Sequence, residues 1–255
     1  MKEGKERSRG VAAFFDLDGT LVALPSLERR FFRMLRYRRA IAMKNYWRWL
    51  EEAMRLLPRG ASAILHGNKM YLRGIEADRL EEGGLKPAFT VFGAALERVA
   101  WHAQRRHTIV MVSGTLEPLA KEAARAIEDE LAARGTCTGI RVCATRLEEI
   151  EGRWTGRILG EPMFGEAKAR AAKRLAEEMR LDLGGCYAYG DSLNDRWLME
   201  TVGRPAAVNP SNELAAVART RGWPVQNWSG KENLSPRRMG HREIAEKKEL
   251  PRAIA

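Results

Sequence analysis

The sequence predicts an α/β fold: a doubly wound parallel sheet whose chain is interrupted after its first strand by a helical insertion. Three observations carry this reading. An apolar run from Val11 to Phe15 ends on Asp16, as suits a strand buried on both faces. From Pro25 to about Glu82 the apolar residues fall three or four apart, which is helical spacing. From Pro87 onward helical and strand-like segments alternate, and such alternation implies parallel strands joined by crossovers.

In chain order, the insertion carries Phe31 and Leu35, then Trp47, Leu50, Met54 and Leu57, with turn signals at Pro58-Arg59-Gly60 and Gly83-Gly84. A helix is expected near 88–105, a strand at 108–112, a helix near 116–133 and a strand near 139–145. Gly152 and Gly156, set among Ile150, Trp154 and Ile158, mark a small hairpin within 147–160. A helix near 166–180, a strand at 186–190 and a short helix at 193–201 follow, and Pro205 to Val208, a helix near 212–221 and Pro224 to Trp228 complete the series. The organisation expected is an α/β core of 1–23 and 87–228, a helical cap of 24–86 and a polar, loosely ordered tail of 229–255.

Composition bounds the function. At 255 residues, with 45% hydrophobic and 30% charged residues, the chain can bury a sizeable core and has the balance of a soluble folded protein. No apolar run is long enough to cross a bilayer and the charged start leads into no signal-like segment, so a cytoplasmic protein is expected. Cys137, Cys143 and Cys186 are odd in number and lack CxxC spacing, which argues for reduced thiols and against a disulfide or zinc. The net charge of +11 is local in origin: Arg29, Arg30, Arg33, Arg36, Arg38, Arg39, Lys44 and Arg48 occur with no acidic residue among them. Phe31, Phe32, Tyr37, Tyr46, Trp47 and Trp49 interleave with them. The plainer reading is a solvated helix whose aromatics pack on the core, and the sharper one a weak contact with an anionic membrane through 29–49. No specific nucleic-acid partner is expected. The histidines His66, His102, His107 and His241 show no ligand spacing, and no P-loop, dinucleotide fingerprint or Gly-x-Ser-x-Gly elbow is present.

The chemistry gathers at the strand ends. Asp16-Leu17-Asp18-Gly19-Thr20-Leu21 follows the first strand, where open α/β sheets place their ligands. Two carboxylates so close repel unless a cation or a shared proton offsets them, and an oxygen-rich pair suits Mg²⁺. Taken alone, the motif is about equally a helix-capping turn. Ser113-Gly114-Thr115 follows the strand at 108–112 and offers a hydroxyl and backbone N–H groups for a phosphate. Lys168 opens the helix that begins near Glu166. In Gly190-Asp191-Ser192-Leu193-Asn194-Asp195, Asp191 ends a strand and Asp195 follows one helical turn later, so both carboxylates can face one point.

These four motifs in this order resemble those of the haloacid dehalogenase-like (HAD) phosphohydrolase superfamily, over roughly residues 11–228. The insertion between the first two motifs and the GDSxND form of the last are similar to the phosphoserine phosphatase branch. The resemblance implies a Rossmann-like HAD core and a phosphomonoester phosphatase using Mg²⁺. It makes Asp16 the nucleophile and a metal ligand, and Asp18 the general acid and base, with its backbone carbonyl on the metal. It gives Ser113 and Lys168 to the phosphoryl group, and Asp191 and Asp195 to the metal site, while Gly114 offers its backbone N–H to a phosphate and Asn194 reads about equally as a contact to phosphate or metal-bound groups and as a residue of the helix's first turn. The partner implied is a small phosphorylated substrate. The acid at position 18 disfavours dehalogenation and cation pumping, whereas a phosphotransferase or phosphomutase using the same aspartyl-phosphate stays open, as does a phosphatase of lysophospholipid-like substrates at a membrane surface. The branch usually carries an ammonium-binding glutamate nine residues after the nucleophile; here Pro25 stands there, and Thr115 replaces the second glycine of a Ser-Gly-Gly motif. A leaving group other than serine is expected.

Overall fold

A computed structural model describes residues 10–77 and 86–230, together with the backbone of 234–235. Strand β1 (Ala12–Phe15) alternates its side chains between two cores. Ala13 and Phe15 join one that includes Leu96, Ala123 and Ile127, and Ala12 and Phe14 join another built on Ala171, Ala172, Ala188 and Leu198. Period-two alternation with both faces covered is the mark of an interior parallel strand.

After β1 come helices α1 (Leu27–Tyr37), α2 (Met43–Leu56) and α3 (Ala61–Gly67), with a 3₁₀ turn at Leu57–Arg59. The Ser26 side chain accepts the Arg29 N–H, and Leu27, Phe31 and Leu35 form the buried stripe of α1. Helix α2 corrects an expectation. Its apolar stripe faces outward, with Trp47, Leu50, Met54 and Leu57 between 48% and 67% exposed, while Asn45 and Ala53 are buried. The inner face is fixed by polar ties instead: Asn45 Nδ2 donates to the Arg73 carbonyl at 2.7 Å and Asn68 Nδ2 to that of Trp49 at 2.8 Å.

Strand β2 (Val91–Phe92) leads into α4 (Gly93–Gln104), β3 (Thr108–Leu116), α5 (Glu117–Ala133) and β4 (Ile140–Thr145). The hairpin β5 (Leu147–Ile150) and β6 (Arg153–Ile158) is antiparallel, as the glycine spacing predicts. It packs toward the helical insertion, where Trp154 meets the edge of Phe31 and exchanges backbone hydrogen bonds with Gly74 and Ile75. Then follow α6 (Glu166–Met179), β7 (Tyr187–Gly190), α7 (Arg196–Thr201), β8 (Arg204–Val208), α8 (Asn212–Arg221) and β9 (Val225–Gln226).

The main sheet runs β4-β3-β1-β7-β8-β9 and is parallel throughout. The chain steps outward from β1 in both directions, so the carboxyl ends of β1, β3 and β7 converge at the switch point where such sheets hold ligands. Two departures from the sequence reading are local. Strand β3 continues through Ser113-Gly114-Thr115 to Leu116, with a shift of register against β4 between Ser113 and Leu116. The backbone of β10 (Leu234–Ser235), within the segment expected as a loose tail, pairs antiparallel with β2; 231–233 and 236–255 lie outside the described residues, as do Gly83 and Gly84.

Candidate active site at the strand ends

Asp16 leaves the end of β1 with its N–H on the Tyr189 carbonyl at 2.9 Å, and its carboxylate is buried. Gly19 allows the loop to close: its φ is +88°, and a Cβ there would stand 2.1 Å from Asp191 Oδ2. Asn209, at the end of β8, donates to the Gly19 carbonyl at 2.9 Å and accepts the Trp228 N–H at 2.7 Å, tying this loop to the last strand.

Lys168, buried on the first turn of α6, joins the motifs. Its ammonium donates to Asp16 Oδ1 at 2.5 Å and also to Asp195 Oδ1. Burial pushes this lysine down, but Asp16 and Asp195 outweigh it and hold the ammonium well above the usual lysine range. Asp195 is fully buried and also receives the Ser192 N–H and hydroxyl on Oδ2, so both of its oxygens are engaged by protein donors. Asp191 stands across the same space. Burial, then the charge of Asp195, raises its carboxyl to about 7. Asp16 is raised as well, by burial and by both aspartates, against the pull of Lys168.

Asp16, Asp191 and Asp195 each offer an oxygen within 4.8 Å of the others. Fully ionised, three carboxylates against one ammonium leave two negative charges in a buried space, and the raised carboxyls of Asp16 and Asp191 reflect that crowding. The donor set is hard oxygen, so a divalent cation such as Mg²⁺ fits both the charge and the chemistry.

Asp18 is held differently. Its Oδ1 accepts the Leu27 N–H at 2.8 Å, at the start of α1, and its Oδ2 accepts the Thr115 hydroxyl at 2.7 Å. Burial raises its carboxyl above the ordinary range although both hydrogen bonds oppose the shift. Ser113 and Thr115 are buried at the end of β3, and the Gly114 carbonyl accepts the Thr145 hydroxyl at 2.8 Å. A Cβ on Gly114 would meet the Phe164 ring at 2.1 Å.

Apart from the fully buried Asp195, which lies behind Lys168, the motif residues open into one cavity of about 630 Å³, a size suited to a small metabolite. One wall is made of Asp16, Asp18, Ser113, Gly114, Thr115, Lys168, Asp191 and Ser192, with the exposed Asn194 at its rim. The helical insertion supplies the other, with Glu28, Phe32, Trp49, Leu65, His66, Lys69 and Tyr71. His66 lies against Phe164, ring centroids 3.7 Å apart. Every site residue expected from the sequence therefore lies in or beside this space. Thr115 holding Asp18, Asn209 holding the loop, and the group Glu28, Lys69, Tyr71 and His66 were not legible as site residues.

Residues 13–200 match the model of the haloacid dehalogenase-like hydrolases. The chain belongs to that family. A Mycobacterium tuberculosis protein named "probable phosphatase" is 30% identical over 238 residues, which cover 89% of this chain and 78% of that protein. A phosphoserine phosphatase of the same organism is 28% identical over 234 residues, covering 85% and 70%. In structure, a protein of unknown function from Bordetella pertussis superimposes with a TM-score of 0.65 at 29% identity, over 86% of this chain and 99% of that one. This HAD hydrolase is thus similar over most of its length to proteins named as phosphatases. No described helix is long and apolar enough to cross a membrane.

Proposed function

We propose that the protein is a Mg²⁺-dependent phosphomonoester phosphatase that works in the cytoplasm through an aspartyl-phosphate on Asp16. The observation that carries the reading is the placement of two carboxyls at one strand end with different partners. Asp16 is ion-paired with the buried Lys168 ammonium, while Asp18 is bonded instead to the Thr115 hydroxyl and the Leu27 N–H. The cation beside Asp16 suits a nucleophile placed at a phosphoryl group, and the hydrogen bonds that orient Asp18 suit a proton carrier.

In the first step an Asp16 oxygen forms a bond to phosphorus, the bond from phosphorus to the ester oxygen breaks, and Asp18 gives that oxygen its proton. In the second, water attacks the phosphorus of the aspartyl-phosphate and yields a proton to Asp18. The bond to Asp16 then breaks and inorganic phosphate leaves. Lys168, the Ser113 hydroxyl and the backbone around Gly114 compensate the phosphoryl charge, with Asn194 closing the rim. Asp16, Asp191 and the Asp18 carbonyl would hold Mg²⁺, which supplies further positive charge to the transferring group; Asp195 supports that site from behind through Lys168 and Ser192. Helices α1 to α3, within 24–86, act as the cap that chooses the leaving group.

Release of inorganic phosphate from a panel of phosphomonoesters tests the reading, and Asp16→Asn should abolish it without unfolding the protein. Transfer of the phosphoryl group to a second substrate without free phosphate would instead favour a phosphotransferase. Asp18→Asn should cost several orders of magnitude on unactivated esters and less on 4-nitrophenyl phosphate, whose leaving group needs little protonation.

The outward stripe of α2 favours a second reading, in which the substrate is a lysophospholipid-like phosphate met at an anionic surface. Met43, Trp47, Leu50 and Met54 are exposed alongside Lys44 and Arg55, a pattern suited to shallow insertion among anionic headgroups. Cosedimentation with phosphatidylglycerol vesicles, weakened by Trp47→Ser, supports it; equal recovery with and without vesicles removes it.

A further inference from the structure

The side of the cavity facing the phosphoryl site contains an ion pair that the catalytic steps do not use. Glu28, in the first turn of α1, accepts on Oε1 both the Lys69 ammonium and, at 2.7 Å, the Tyr71 hydroxyl. Lys69 has only 3% of its side chain exposed, against 18% for Glu28. Around them stand Phe32, Trp49 and Leu65 from the insertion and Phe164 from the core.

A buried lysine in such surroundings keeps its charge only with a carboxylate beside it, and a buried carboxylate needs the cation equally. Each therefore satisfies the other before any substrate arrives. A substrate ammonium entering this cavity would find the Glu28 charge already neutralised and a second ammonium beside it. We propose that Lys69 is a specificity-determining residue: it occupies Glu28 as a resident ammonium, so the enzyme selects phosphomonoesters whose leaving group has no amino group and has an apolar body to lay against Phe32, Trp49 and Leu65. The proposal rests on the phosphatase reading and adds the class of leaving group.

The test compares kcat/KM for O-phosphoserine with that for 3-phosphooxypropanoate, the same molecule without its amino group. The wild-type enzyme should favour the amine-free ester by about tenfold or more. Lys69→Met exposes Glu28 as an unpaired carboxylate, and the ratio should move toward phosphoserine by about tenfold; Glu28→Gln added to it should cancel the shift. General damage to the pocket would slow both substrates and leave the ratio in place. If Lys69→Met fails to fold by circular dichroism, Lys69→Gln replaces it, and the wild-type ratio needs no variant. A wild-type preference for phosphoserine, or a ratio that Lys69 substitution leaves unchanged, overturns the assignment. Absence of Asp16-dependent phosphate release from any ester, 4-nitrophenyl phosphate included, overturns the phosphatase reading itself and this proposal with it.

Discussion

Lys168→Met is the substitution whose cost can be worked most directly from the structure. Lys168 is the cation shared by Asp16 and Asp195, and all three are at most 5% exposed. Methionine keeps the length of the side chain and removes only the charge and its donors, leaving two buried carboxylates facing each other without their cation. Removing one partner of a buried pair costs about 3–5 kcal/mol, which for a chain of this size is roughly 6–20 °C in midpoint temperature. Thermal unfolding in excess chelator, followed by circular dichroism, reads that loss. Mg²⁺ should restore part of it, because a divalent cation offsets the same charge, whereas turnover should stay lower by about a hundredfold or more since the phosphoryl oxygens have lost a donor. Asp195→Asn in the same background should cost less than it does alone, as expected for groups that interact. A Lys168→Met protein of unchanged stability in chelator would show that the three groups are not coupled as the geometry requires.

Mg²⁺ at about a hundred times its dissociation constant should stabilise the wild type by about 2.7 kcal/mol, and Asp191→Asn should lose most of that gain in a thermal shift series. Thr115→Val should lower kcat by about tenfold or more on unactivated esters and less on 4-nitrophenyl phosphate, because Asp18 loses a hydroxyl partner; Thr115→Ser should recover the rate, and an unaffected Thr115→Val enzyme removes this role. His102 gives a pH dependence of stability. It is fully buried, with one ring nitrogen 2.9 Å from Tyr189 Oη and the other 2.8 Å from His107. Burial first, then His107 and nearby arginines, lowers it from 6.5 to about 3. The unfolded chain therefore binds a proton that the folded chain refuses: stability is full above pH 6.5 and falls by up to about 1.4 kcal/mol for each pH unit between 6.5 and 3. Urea midpoints at pH 7.5 and 5 should separate less in His102→Gln, and equal separation would show that His102 is not the group responsible.

What was legible in the sequence was whatever depends on position along a strand. Asp16, Ser113 and Asp191 each follow an apolar run, and in a parallel sheet with β1 at its centre those run ends meet, so order in the chain implied nearness in space. Lys168 and Asp195 were legible because each falls in the first turn of a helix that begins at the same edge. Thr115 was seen only as a departure from a Ser-Gly-Gly motif, since its partner Asp18 lies 97 residues away. For Asn209, 190 residues from Gly19, there was no local signal. Helix α2 shows the limit of periodicity: a stripe at 47, 50, 54 and 57 fixes which residues share a face but not what that face meets. Here the buried side was set by Asn45 and Asn68 capping backbone carbonyls, a choice that hydrophobic pattern does not encode.

The same contrast explains why reaction and substrate separate in this molecule. The groups proposed to handle phosphorus come from strand ends and first turns of core helices, where backbone geometry holds them and a residue type at the wrong place has no substitute. In the proposed reading, the groups that meet the leaving group come from α1, α2, α3, the segment after α3 and the loop at Phe164, where an equivalent contact can be built from several registers. Position 25 illustrates this. It lacks an acid, yet Glu28, one residue into α1, places a carboxylate in the same cavity. What that carboxylate can recognise would then be decided by Lys69, its ion-pair partner 41 residues further along the chain. An acidic side chain in a binding cavity is therefore a receptor for cations only when no resident cation satisfies it, so substrate selection has to be read from the charge balance of the pocket rather than from the presence of a glutamate.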